Sequence, residues 1–483
     1  MFTGIVLHSP VGRTFTKDQQ QLGAIGFFVP YRDYKGWAAS LPLLEIISAY
    51  PPAEKREDRA VPIRKDRQDW VGRMRVGTHG FIGARLTEAR QARGMNGTEL
   101  ADLIGVSPQS VSQYEHGKQS PSPEMLELIA DKLNMPLSRF TREVSHSESN
   151  PIFWRGKTTA TRAARDRAEV RLIWIREIID YFASFFHFPS LDLPKLMDSP
   201  KDFRQIDSDY LETAAASVRM HWQIPDGPMP DLLLEMENNG IVISRIHVGV
   251  EKLDAFSQWS SAYRIPIVVL NRDKASAVRQ RFDAAHELLH LVAHSKIDPK
   301  RLNSASDYKI MEDQAHYFAG ALLLPADEFT NDLWSPTLDG LLALKERWKV
   351  SVGAMIKRCK ALSIVDDESE KRLWINYNRR GWRRVEPYDR KIEKERPRIL
   401  RRSISQLLLE GEQSVSQILS AVSLAPKDIE ELCDLDSGAL TDDTADVRAT
   451  PILKKKIQPD EGNVVNLFRR KITRISSSEL ECP

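Results

Sequence analysis

The run Arg281 to His294, RFDAAHELLHLVAH, constrains this chain more than any other. Phe282, Ala284, Ala285, Leu288, Leu289, Leu291, Val292 and Ala293 make a helix here apolar on most sides, so His286, Glu287 and His290 fall within an element that has to be buried. A spacing of four puts His286 and His290 on one face, where two imidazoles can share a metal ion, and Glu287 leans over the adjacent edge. Buried His and Glu need partners, and a metal supplies one. Neutral imidazoles leave Zn²⁺ its Lewis acidity, and a carboxylate beside an activated water can move its proton to a leaving amine. A catalytic zinc takes three protein ligands and an open position. Tyr308 to Pro325, YKIMEDQAHYFAGALLLP, reads as a second helix with Ile310, Ala315, Phe318, Ala319 and Leu322 as its apolar stripe, and it offers Glu312 as the third ligand.

RFDAAHELLHLVAH followed by EDQAHYFAGALLLP resembles the ImmA/IrrE family of bacterial and phage metallopeptidases, and the likeness extends upstream through LDAFSQW and IPIVVLN. Carried over position by position, the resemblance implies His286 and His290 as ligands, Glu287 as general base and Glu312 as third ligand. Leu289 stands where the family commonly has a small residue, and His316 where it commonly has Asn. Asp254, Ser257 and Trp259 of LDAFSQW are expected to be structural rather than to touch substrate.

A second organised region begins near Phe81. Leu86, Ala89 and Arg93 mark one helix and TELADLI, Thr98 to Ile104, a second. Gly105 makes the turn, and Ser107 with Pro108 opens a third helix on which Val111 packs inward. A fourth helix starts at Pro123 and a short fifth lies near Pro136. Ala101, Gly105 and Val111 stand where a helix-turn-helix needs a small contact, a tight turn and an apolar core residue. The run ELADLIGVSPQSVSQYEHGKQSPSPEMLELIADKLNM is similar to the repressor-type (XRE) helix-turn-helix domains of phages and bacteria. That similarity makes Ser107 to His116 the recognition helix, presenting Gln109, Ser110, Ser112 and Gln113 to bases and phosphates.

Charge is balanced, with 69 basic against 67 acidic residues for a net +2, so attraction to nucleic acid has to be local. Within residues 81–143 seven Lys and Arg face eight Asp and Glu, which is poor for phosphate attraction. The basic run Arg155, Lys157, Arg162, Arg165, Arg167 and Arg171 offers help, or is the outer face of a long helix from about Thr159 to Phe186. Cys359, Cys433 and Cys482 are odd in number and far apart, which excludes a disulfide framework and fits a reducing compartment. No run reaches the roughly 18 apolar residues of a membrane span, and the N-terminus lacks a signal peptide's pattern. A cytoplasmic protein is expected.

The expected fold is mostly α with a small α+β part: a five-helix DNA-binding domain, a zincin-like metallopeptidase domain and a helical C-terminal region. The boundaries read as a flexible extension over 1–75, helix-turn-helix over 80–143, linker over 144–152, peptidase over 153–330, helical region over 331–435 and a polar, disordered tail over 436–483. GIVISRI and IPIVVLN read as strands, and an edge strand beside the zinc would hold an extended peptide by backbone pairing. Lys345, Arg347 and Lys349 read as a solvated helix face, and RRGWRRVEP as a packed loop. The functional expectation is a regulator that binds a double-stranded DNA operator as a homodimer. Its zinc endopeptidase domain would cleave a repressor-type regulator, or its own linker near Ser145 to Pro151, to relieve repression. The alternatives are a transcription factor whose peptidase fold is an inactive sensing or dimerising module, and an antitoxin that represses its own operon.

Overall fold

The computed structural model describes residues 77–441, except 145–149, 156–160, 196–201, 248, 250–252, 261–263, 274–275, 296, 298–300 and 302–303. The expected extension over 1–75 and most of the expected linker and tail lie outside the described residues. The first four helices are α1 (Gly83–Ala92), α2 (Gly97–Ile104), α3 (Pro108–Glu115) and α4 (Pro123–Leu133). Their ends are written in the sequence. Asn96 and Glu99 form a capping box at the start of α2, Gly105 ends it at φ +70°, and Ser107 caps α3 through the Ser110 amide. The expected fifth helix is a single 3₁₀ turn, Leu137–Thr141. Gly83 is needed for packing rather than conformation, because a Cβ there would lie 2.2 Å from the Tyr114 carbonyl oxygen at the end of α3.

Strand β1 (Ile152–Arg155) and the long α5 (Arg162–Ala183) follow, then α6 (Ser208–His221), α7 (Leu232–Asn238), β2 (Val242–Ile246), β3 (Ala255–Ser260) and β4 (Ile265–Asn271). The sheet order is β1-β3-β4-β2, with β3 antiparallel to both neighbours and β2 parallel to β4. Its two faces alternate as the period of two requires. Trp154, Val242, Ile246, Phe256, Ile267 and Val269 pack toward α1 to α5, whereas Ile243, Ala255, Val268 and Leu270 pack toward the helices on the other side. With both faces covered, the strands are buried along nearly their whole length.

The second layer begins with α8 (Ala277–Leu289), which continues through a π-helical turn, His290–His294, and α9 (Ala305–Leu323). Then come α10 (Ala326–Asp332), α11 (Leu338–Trp348), α12 (Val352–Ala361) and α13 (Asp367–Arg379), and α11 to α13 share the apolar core of α8 and α9. The last helices, α14 (Ile399–Leu409), α15 (Val415–Val422) and α16 (Pro426–Leu432), join instead the core that contains α1 to α5. No described helix is long and apolar enough to cross a membrane.

Two charge readings need correction. Lys345 is not on a solvated face: it is fully buried on α11, its ammonium 2.7 Å from both Glu386 and Asp389. Those carboxylates are 41 and 44 residues away in sequence, and two of them make burial of one ammonium tolerable. RRGWRRVEP is the packed loop expected, because Glu386 also accepts from the Val352 and Gly353 amides at the start of α12. The basic run near α5 is neither an outer face nor a DNA-facing stripe as a whole. Arg155 pairs with Asp283, Arg167 donates to the Arg93 carbonyl, and Arg171 is buried against Asp428.

Candidate functional site

His286 and His290 project from the end of α8 toward α9, which delivers Glu312. The two Nε2 atoms are 3.2 Å apart, and Glu312 Oε1 lies 3.6 Å and 3.5 Å from them. Donors bound tetrahedrally to one zinc ion at roughly 2.0–2.1 Å stand about 3.3 Å from each other, so this triangle has the size of one face of such a site. Burial lowers the basicity of both imidazoles, with Arg155 adding to it: His290 falls to about 3 and His286 well below its usual value. Both are neutral and offer lone pairs.

The tautomer of His290 is fixed from outside. Gln314, on α9, donates from Nε2 to the Phe203 and Ile206 carbonyl oxygens at 2.7 and 3.0 Å, which leaves its Oε1 to accept from His294 Nε2 at 3.1 Å. His294 Nδ1 is then an acceptor, and His290 Nδ1 donates a hydrogen bond to it at 2.8 Å. The lone pair of His290 Nε2 therefore faces His286 and Glu312. The π-helical turn, a departure often found at functional sites, is the segment that carries His294. Replacing Gln314 with Ala should loosen this relay and weaken the binding of a divalent metal ion, with added zinc as the probe, by about 10–100-fold, read by isothermal titration.

Glu287 is fully buried, and one of its oxygens is held: Oε2 accepts from the Ser257 hydroxyl of β3 at 2.6 Å. Oε1 has no hydrogen-bond partner among the described residues. Burial pushes the Glu287 carboxyl up to about 8 against the Ser257 hydrogen bond, and burial takes Glu312 to about 7. Three acceptor atoms thus converge on one point with an unsatisfied carboxylate oxygen in the adjoining residue. A divalent cation fits that donor set, since it satisfies all the lone pairs at once.

The part Ser257 plays is structural, as expected: its hydroxyl holds Glu287. The nearest signal in the sequence is the LDAFSQW likeness itself. His316 sits edge-on to His286 with ring centroids 4.6 Å apart, and its Nδ1 donates to the Glu312 carbonyl at 2.7 Å. It opens onto a cleft of about 1400 Å³ that Asp283, Tyr317, Arg358 and Trp374 also line.

The second group of expected site residues lies apart from the first on α3. Gln109 and Ser112 are exposed and Ser110 and Gln113 half-buried, while Val111 and Tyr114 point into the core. Ser110 Oγ is 2.9 Å from Ser107 Oγ, and Ser112 faces His116. The outward face is thus uncharged, polar and short, and capable of hydrogen bonds to base edges.

Residues 86–140 match the family model for a helix-turn-helix, and residues 236–360 match the model for an IrrE N-terminal-like domain of the M78 peptidase family. The chain therefore joins a repressor-type helix-turn-helix domain to an IrrE-like metallopeptidase-family domain. Among solved structures it is similar to a Mycobacterium tuberculosis transcriptional regulator at 18% identity and a TM-score of 0.24. The match covers 33% of this chain and 51% of that one, about half its length. No curated protein matches the chain.

Proposed function

We propose that the protein is a cytoplasmic DNA-binding regulator whose second domain is a zinc-dependent endopeptidase that cleaves a repressor-type regulator, or its own linker, to relieve repression. The observation that carries this reading is the convergence of His286, His290 and Glu312 on one point, with Glu287 Oε1 unsatisfied beside it. His286, His290 and Glu312 would hold the zinc. When bound, the metal supplies Lewis acidity toward a peptide carbonyl and makes water nucleophilic near neutral pH. Glu287 then has a defined task. Burial alone would keep Glu287 protonated near neutral pH, but a cation held beside it would favour the carboxylate. With Ser257 fixing Oε2, Oε1 would then take the proton of the attacking water and return it to the leaving amine. The test is to incubate zinc-loaded protein, alone and with a repressor-type regulator, beside a Glu287→Gln variant and to read masses. A fragment made by the parent and not by the variant supports the reading, whereas zinc bound with no fragment in either mixture rejects it.

A second reading, a transcription factor with an inactive sensing module, draws on one observation. The space left at the cluster, lined by Phe153, Trp154, His290, Tyr308 and Glu312 among others, is about 10 Å³, close to the least that holds a single water.

On the DNA side, Gln109, Ser110, Ser112 and Gln113 would read the operator, with a homodimer spanning two half-sites. Replacing Gln109 and Gln113 with Ala should weaken specific binding by roughly 1–3 kcal/mol for each bidentate pairing to a base that is removed, while zinc content stays unchanged. Operator titrations at fixed salt check this.

A further inference from the structure

Strand β1 is the edge strand of the sheet next to the metal-ligand cluster. It pairs antiparallel with β3, placing Phe153 opposite Ser257, whose hydroxyl holds Glu287. The Phe153 ring stacks on His290 with centroids 5.2 Å apart and planes 12° from parallel. The Tyr308 hydroxyl donates to the Trp154 carbonyl, and the Arg155 guanidinium lies 2.7 Å from Asp283, one turn before His286 and Glu287 on α8. On the opposite face Trp154 packs on Phe256 within the core that includes α1 to α5.

On the β1 side the space beside His290 and Glu312 is about 10 Å³, too little for a polypeptide to lie along β3 while β1 is in place. For a polypeptide to pair with β3 beside the cluster β1 has to leave, and of the strands at the site it is the most easily released. It is four residues long and, among the described residues, paired on one side only, whereas β3 is paired on both. Its departure would bare the β3 backbone beside Glu287, which is the geometry by which an extended peptide adds to a sheet.

We infer that Ile152–Arg155 is a built-in pseudosubstrate: it occupies the β3 edge, where an extended peptide is expected to pair, and leaves before a second polypeptide pairs there. The inference rests on the peptidase reading above. It also names the class of ligand: an extended segment with an aromatic residue to lie on His290 and, two residues on, a basic one to meet Asp283. Because Trp154 is anchored in the core of the DNA-binding helices, release of β1 is tied to how that core is packed.

The test uses the full chain and a labelled synthetic hexapeptide copying residues 150–155. A competitor's apparent affinity is reduced by the fraction of molecules with the edge open, so weakening the resident strand should tighten peptide binding. Tyr308→Phe removes the clasp on Trp154, and Phe153→Ala removes the stack. Either should raise the hexapeptide's affinity by about tenfold or more over the parent. Hydrogen exchange of the β1 amides should accelerate on peptide addition while β4 is unchanged. Should Phe153→Ala fail to fold, Tyr308→Phe decides alone. Equal binding by parent and variants overturns the inference, as does binding in the neighbouring cleft with β1 still protected. Competition is measured without zinc, so it can succeed where the Glu287→Gln comparison fails, and cleavage without competition sinks this inference while leaving the peptidase reading intact.

Discussion

Alanine at His290 should abolish stoichiometric zinc binding, whereas Glu287→Gln should keep the metal and lose only hydrolysis. The two residues sit in one buried cluster, yet the geometry divides their work. His290 Nε2 is one corner of a triangle with sides of 3.2, 3.5 and 3.6 Å, and its Nδ1 proton is already committed to His294. Its removal leaves one imidazole and one carboxylate, and it also cuts the relay from Gln314. Losing an outer partner of a metal ligand typically costs about 10–100-fold in affinity, and losing the ligand should exceed the upper figure. Glu287 contributes no corner. Its amide isostere retains the Ser257 contact and the shape of the cluster but cannot accept the proton of a water, so turnover should fall by about 10²–10⁴-fold. Elemental analysis of the purified variants and zinc titration by calorimetry check the first half, and product mass the second. Zinc retained at unit stoichiometry by both His290→Ala and Glu312→Ala would remove the cluster as the metal site.

What can be read from the sequence is local. The four-residue step from His286 to His290, the stop at Pro325, the Ser107 cap and the turn at Gly105 each depend on neighbours within a turn, and each stands where expected. Glu312 reaches the cluster from 22 residues beyond His290, and only the pairing of two periodic helices with a family likeness points to it. What a sequence window misses is held by long-range pairing. Ser257 meets Glu287 because β3 passes under α8, and Phe153 meets His290 because a strand from before α5 returns to the sheet edge. Lys345 and Arg171 look like surface charges in any short window, since the carboxylates that allow their burial lie 41 and 257 residues away. Periodicity identifies which face of an element is apolar, but it does not identify which charge will find a partner inside.

Glu177→Ala should cost about 3–5 kcal/mol of stability, the largest loss expected outside the metal cluster. Glu177 lies on α5 and is buried among Arg85, Glu88 and Arg139 of the DNA-binding domain. Arg85 Nη1 is 2.7 Å from Glu88 and 2.8 Å from Glu177, and Arg139 bridges the same two carboxylates. Two positive and two negative charges cancel, and removing one carboxylate leaves an uncompensated guanidinium out of water. Trp174 on the same helix covers Arg139, with the guanidinium 5.5 Å from the ring centroid, so water cannot simply replace the lost partner. Burial alone would raise the Glu177 carboxyl, but Arg139 and Arg85 outweigh it and hold it below the ordinary carboxylate range. The sign follows: a folded pKa below the unfolded one means the stabilisation is present at neutral pH and above. It is lost as pH falls through the depressed folded value. Urea unfolding at pH 7 should show the full difference between parent and variant, and the difference should shrink in acid. Because the cluster joins α1 to α5, amide exchange in α1 should rise together with that in α5. A variant with an unchanged urea midpoint at pH 7 would mean that the quartet is not what fastens the DNA-binding helices to the rest of the chain.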